Sequence, residues 1–164
     1  MSKKIYLDKD GYQQYLNAIT ELHDKLKTNS FQKSEAYISS TGNGWHDNYE
    51  FEESKRIENG LITQINNMNQ NLNKIEIIKS DKADSSIVNL NDIIEVQFLI
   101  NNNNNTDIFK LTGNYFTKDD SEYDELTLNS PVGNAIYHQK IGSIVEYNVE
   151  SNIYKLKIVR KVGG

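Results

Sequence analysis

Two stretches of this chain place apolar residues at alternating steps of three and four. The first carries Tyr12, Tyr15, Ile19, Leu22 and Leu26, the second Leu61, Ile65, Met68, Leu72 and Ile75. A mean spacing of 3.5 marks a helix whose apolar seam lies along a partner helix. Between the stretches, residues 39–44 collect Ser, Thr, Gly and Asn, which interrupt helices. Two such helices joined by a Gly-containing bend bury their seams on each other as an antiparallel coiled coil, with residues 43–55 at its tip. Asp8 is the expected N-cap of the first helix, with Gly11 tolerated near its start, and the helix runs to about Ser39. The second restarts at His46 or Asp47 and runs to about Ile78. Some ~30 residues per helix give an arm of about 45 Å. Helix two holds Asn59, Asn66, Asn67, Asn69, Asn71 and Asn73, and Asn is an indifferent helix former, so the seam must hold this arm together.

The rest of the chain reads differently. Residues 80–89 are polar and form a linker between an arm of residues 1–79 and a second domain of residues 90–164. In that domain, residues 93–100, 108–111, 126–128, 144–149 and 154–162 are β-rich runs bounded by turn residues. Residues 101–105 read as an Asn-rich hairpin loop. Pro131, the sole proline, opens a short helix over 132–139. The fold class is therefore α+β: a helical hairpin followed by a small antiparallel sheet with one covering helix.

Composition narrows the partners. At 164 residues the chain has room for two small domains. Residues 1–79 carry 10 Lys and Arg against 11 Asp and Glu, and residues 80–164 carry 8 against 12, giving the net charge of −5. Tight binding of free DNA is not expected, because phosphate affinity rests on cationic side chains. A protein partner fits better. No cysteine is present, which removes disulfides and thiolate metal sites. The N-terminus lacks a signal-peptide core and no run is apolar enough to span a bilayer, so a cytoplasmic protein with no membrane partner is expected.

Three motifs, in order, resemble the bacterial Gre transcript-cleavage factors (GreA and GreB). Residues 43–51, Asn-Gly-Trp-His-Asp-Asn-Tyr-Glu-Phe, align without a gap with the family's tip motif Gly-Asp-Leu-Ser-Glu-Asn-Ala-Glu-Tyr, keeping Asn48, Glu50 and an aromatic at Phe51. Residues 7–12 resemble the family's entry into helix one. Asn129-Ser130-Pro131-Val132-Gly133-Asn134-Ala135-Ile136 resembles its Asn-Ser-Pro-Leu-x-x-Ala-Leu. The resemblance implies an FKBP-like second domain that docks on core RNA polymerase through Asn129, Ser130, Pro131, Val132 and Ile136. It implies an arm reaching through the polymerase's secondary channel, where the tip helps to hold an Mg²⁺ of the polymerase active site and a water that hydrolyses backtracked RNA. The protein would have no cofactor of its own and would be no enzyme, at most a stimulator of the polymerase's cleavage.

The tip departs from the pattern where chemistry matters. Mg²⁺ takes hard oxygen ligands, and a two-metal hydrolytic site must stabilise both attacking and leaving oxygens, which calls for two carboxylates. Here the family's first acid aligns with Gly44 and its second with Asp47. Asp47 is thus the metal and catalytic candidate, with Glu50 as a second acid one turn into helix two. A first-turn acid favoured by the helix dipole explains both equally well. Gly44, Trp45, His46 and Asn48 are candidate tip contacts, although Trp45 serves as well as a staple over the helix ends. Lys25, Lys27, Lys33, Lys55 and Arg56 are solvated flank charges or contacts to RNA in the channel. Five readings stay open: an elongation regulator with weakened cleavage, a fully active cleavage factor, a channel-blocking inhibitor, and, from other classes, a peptidyl-prolyl isomerase or a coiled-coil adaptor.

Overall fold

The computed structural model describes residues 3–41, 49–79, 84–101 and 103–163, with side chains of 31–41 and 103 left out of the description. The elements are β1 (Ile5–Leu7), α1 (Lys9–Thr41), α2 (Tyr49–Leu72), β2 (Ile75–Ile77), β3 (Ile93–Ile100), β4 (Asn103–Thr112), β5 (Asp124–Thr127), α3 (Pro131–Ile136), β6 (Ile144–Val149) and β7 (Asn152–Lys161). They sort into two units, Leu16–Lys74 and Lys3–Tyr15 with Ile75–Gly164. The expected boundary at 79/80 thus moves: β1, the first turns of α1, and β2 belong with the sheet.

In the helical unit the 3.5 spacing is visible in burial. On α1, Leu22, Leu26 and Asn29 are protected, and on α2, Phe51, Ser54, Glu58, Leu61, Ile65, Met68 and Leu72, while most residues between them are exposed. Ile19 and Ile65 are buried. The Asn29 side chain reaches the Ser54 backbone carbonyl at 2.8 Å, so the helices run antiparallel along their seams.

The sheet unit is a five-stranded sheet in the order β5-β4-β3-β7-β6. β3, β4, β6 and β7 pair antiparallel, but β5 joins β4 in parallel, correcting the all-antiparallel expectation. The long connection from β4 to β5 has the length to carry the chain back to the strand's start. Inward side chains build the core: Val88, Ile94, Val96, Leu111, Ile136, Tyr147, Leu156 and Ile158. The supposed Asn loop is largely strand, because Asn103, Asn104 and Asn105 pair with Ile100, Leu99 and Phe98.

A second, two-stranded parallel sheet joins β1 to β2, with Ile5 opposite Ile75 and Leu7 opposite Ile77. Ile75 is therefore a strand residue and not the last seam residue, and α2 stops at Leu72, short of Ile78. The stop is local: the Lys74 amide bonds the Asn71 carbonyl, and the β-branched run Ile75-Glu76-Ile77-Ile78 follows.

α1 starts against this unit. Asp8 is its N-cap as expected, accepting from the Gly11 amide at 2.6 Å, while the Asp8 amide donates to the Gly113 carbonyl at 3.0 Å. A Cβ on Gly11 would lie 2.1 Å from the Gly113 oxygen, and one on Gly113 would lie 2.6 Å from the Asp8 carboxyl carbon. Gly11 is required, not merely tolerated. One turn on, Tyr15 is fully buried and meets Tyr115 edge to face at 5.0 Å.

Gly11→Ala should therefore lower the stability of the sheet unit by about 1–3 kcal/mol through overpacking. Gly60→Ala, in mid-helix with nothing near the added methyl, should stabilise the helical unit by about 0.5–1 kcal/mol. Urea unfolding followed by circular dichroism checks both, and a Gly11 variant as stable as the parent would refute the close approach.

Candidate functional site

At the bend, Gly44, Trp45, His46, Asp47 and Asn48 lie outside the described residues. Glu50 is described: it is exposed in the first turn of α2 together with Glu52. Glu53, beside them, is held by the Arg56 guanidinium through bonds of 3.1 and 2.6 Å, and this hydrogen bonding draws its carboxyl below the usual range. Among the described residues no three His, Cys, Asp or Glu side chains gather as a metal site. The described part of the arm thus offers Glu50, with Glu52 in the same turn, and no third ligand beside them, so an Mg²⁺ would need further oxygens from elsewhere.

The corner between β5 and α3 is built by side chains that satisfy backbone. Asn129 uses both ends of its amide on one residue: its Oδ1 accepts from the Tyr6 amide at 2.7 Å and its Nδ2 donates to the Tyr6 carbonyl at 2.9 Å. It thereby substitutes for a neighbouring strand along β1. Ser130 caps α3, accepting from the Gly133 amide at 3.0 Å while its hydroxyl donates to the Thr127 carbonyl at 2.7 Å. Pro131 follows at the first helical turn, where the missing N–H costs nothing. Gly133 lies so close to the Thr127 carbonyl that a Cβ would stand 2.1 Å away.

These contacts separate the five docking candidates. Pro131 is exposed and Val132 half-buried, whereas Ile136 is fully buried in the core and closed to any partner in this structure. Asn129 and Ser130 are engaged within the unit. The helix itself is shorter than expected, ending at Ile136, and Tyr137 and His138 leave it. His138 holds a left-handed backbone (φ 62°), pinned by its amide on the Val88 carbonyl at 2.9 Å, and its ring stacks on Tyr137 at 3.9 Å.

Beside this corner lies an open groove of about 440 Å³, lined by Tyr6, Ile77, Ile78, Leu128, Asn134, Tyr137 and His138, with Glu76 and Lys79 also on its walls. Lys4 pairs with Glu76 at 2.9 Å. Sequence reasoning missed this groove because it assigned residues 75–78 to helix two. The signal was present in the β-branched run that follows Asn73.

Asn129→Ala should leave the Tyr6 amide and carbonyl without their partners, costing about 2 kcal/mol or more. Faster hydrogen exchange at the Tyr6 amide is the direct readout. Asn129→Asp, which keeps the acceptor and loses the donor, should fall between; unchanged exchange in the alanine variant would contradict the role.

No family model matches the chain. Among curated proteins it is 24% identical over 156 residues to the transcription elongation factor GreA of Thermosipho melanesiensis, covering 94% of each chain. To the transcription elongation factor GreA of Thermosipho africanus it is 23% identical over 157 residues, covering 96% of each. Among solved structures, GreA factor homolog 1 of Thermus thermophilus aligns with 98% of this chain and 100% of its own, at a TM-score of 0.42 and 14% identity.

Proposed function

We propose that this chain, a member of the Gre family of transcription elongation factors, regulates elongation by docking on core RNA polymerase and extending its helical arm into the secondary channel. The observation that carries this reading is the match to two GreA proteins over nearly the whole length of all three chains, arm and sheet unit together. Docking falls to the sheet unit, which we read as FKBP-like, with Pro131 and Val132 as the contacts that remain accessible. No helix among the described residues is long and apolar enough to cross a membrane, and the polymerase partner would place the protein in the cytoplasm.

The polymerase, not this chain, performs the hydrolysis in this reading; Mg²⁺ supplies charge stabilisation and a nucleophilic water there. This chain's contribution is a single acid at the matching tip position, Asp47, since Gly44 has no side chain to coordinate with. One carboxylate is a weaker ligand set than two. Channel occupancy and competition with two-acid factors are then the main effects, and stimulated cleavage is weak. The basic residues of the arm flank, Lys25, Lys27, Lys55 and Arg56, would meet RNA; Arg56 would first have to leave Glu53.

Two experiments on the full chain test this. The fragment 80–164 is unsuitable because it lacks β1, β2 and the buried Tyr15. In pull-downs of core polymerase, Pro131→Glu should weaken binding about tenfold, a loss of ~1.4 kcal/mol. Ile136→Asp is uninformative, since it would place a charge in the core. Binding unaffected by charges at both Pro131 and Val132 would remove the corner from the interface.

In transcript-cleavage assays on backtracked complexes with Mg²⁺, Gly44→Asp should raise cleavage about tenfold or more over the native chain. Strong native cleavage that survives Asp47→Ala would overturn the account of the tip.

A further inference from the structure

β4 is an edge strand over more than half its length. β5 covers only residues 109–112 of it, and no strand among the described residues pairs with positions 103–108 on the side away from β3. Asn104, Asn105, Thr106, Asp107 and Ile108 are all exposed. The direction of the backbone groups follows from the other end of the strand. There Leu111 uses its amide and its carbonyl on the β3 side, bonded to Asp92 and Asn91, while the Thr112 carbonyl accepts from Leu128 on the β5 side. Alternation along an antiparallel ladder turns the amides and carbonyls of Asn104 and Thr106 toward the open edge. Phe109 and Leu111 face the core, so Asn105 and Asp107 share that face, and Asn104 and Thr106 lie on the opposite one. We infer that this edge is a self-association site, at which two copies of the chain pair their β4 strands antiparallel about a two-fold axis through Asn105 and join two five-stranded sheets into one.

Symmetry and chemistry select the occupant. Residues facing each other across antiparallel strands point to the same side of a sheet, and a two-fold axis perpendicular to the sheet keeps the two core faces together. Each residue must then pair with one from its own face. An axis through Asn105 meets this condition and sets Asn104 opposite Thr106 of the copy, the residues whose backbone groups already point outward. Each of the two symmetric pairs exchanges two N–H to carbonyl bonds. Asn105 faces its own copy, where the amide group of one donates to the side-chain oxygen of the other, and Asn104 faces a threonine hydroxyl. Asp107 stands opposite position 103 and not opposite another Asp107, so no like charges meet. An apolar foreign strand would leave these amides unmatched. Positions 103–108 also lack the usual guards of an open edge, with no Lys, no Pro and Asp107 as the one charge. β6, at the other side of the sheet, carries Glu146 in mid-strand, and self-pairing centred there would set two carboxylates face to face. The β4 contact is small, so the association is weak, with a dissociation constant on the order of 0.1–1 mM.

Sedimentation equilibrium of the full chain between about 0.01 and 1 mM brackets that range. The mean mass of the native chain should rise toward twice the monomer. Asn105→Lys, which sets two ammonium groups opposite each other on the axis, should weaken association at least tenfold; should it not fold, Asn105→Asp sets two carboxylates there and reads the same mass. Cysteine variants report the register, since the native chain has no cysteine. Asn105→Cys faces its copy in a non-hydrogen-bonded pair, about 4.5 Å between Cα atoms, and should oxidise to a covalent dimer. Asp107→Cys, likewise exposed but displaced along the strand from its copy, should cross-link at least tenfold less. Thr106→Pro removes an edge-facing amide and no bond to β3. It should lower the Asn105→Cys cross-link at least tenfold while circular dichroism shows the fold unchanged. A native chain that stays monomeric throughout, a dimer indifferent to charge at position 105, or equal cross-linking at 105 and 107 overturns the inference. No polymerase enters these measurements, so their outcome is separate from that of the docking assays.

Discussion

The first turn of α1 lies against the end of β4 with no side chain between them. Gly11 and Gly113 allow a backbone-to-backbone approach that any Cβ would block at about 2 Å, and Asp8 uses that proximity twice, as cap for the helix and as donor to Gly113. Much else in the sheet unit follows. The approach places Tyr15 where Tyr115 meets it edge to face, and it sets β1, immediately upstream, where Asn129 can satisfy both polar groups of Tyr6. Overlapping constraints of this kind let a three-residue strand, far too short to persist alone, keep a fixed place.

The corner around Ser130 shows how recognition and folding divide the labour of one motif. Asn129, Ser130, Gly133 and Ile136 are committed inward, to backbone partners, a close approach and the core. Pro131 is left facing solvent, with Val132 half-covered beside it. A motif quoted as a unit in sequence thus contains mostly architecture, and its accessible part is small. Tying four of its members to the fold, two of them buried, holds Pro131 and the half-covered Val132 in place, which lowers the ordering cost of any contact they make.

Legibility in the sequence followed the length of the periodic signal. The helical seams were readable because apolar residues recur at alternating steps through both helices, and protection at Leu22, Leu61, Ile65 and Met68 follows that pattern. β3 and β6 were readable to the residue, being apolar runs closed by turn formers. Three features were not. β2 was hidden because Ile75 fits the heptad as well as it fits a strand, and its partner lies seventy residues away at Ile5. The strand character of Asn103, Asn104 and Asn105 was hidden because their pairing with β3 overrides a composition that favours turns. The need for glycine at position 11 was hidden because it depends on Gly113, which no local pattern announces. For the site, residue identity was visible throughout. Which side chains are free to meet a partner was not, because that depends on the Asn129–Tyr6 pair and on the depth of Ile136.

The parallel pairing of β1 with β2 has a consequence for how such a protein changes over generations. Because Ile5 stands beside Ile75, the strand that precedes α1 and the strand that follows α2 are paired, and residues 16–74 form an insertion between two parts of one unit. Adding or deleting one heptad on each helix alters the span of that insertion without displacing either anchor strand or any residue of the sheet core. Reach and scaffold are therefore separable heritable traits: selection can lengthen or shorten the arm in steps of about 10 Å while the unit that roots it stays unchanged.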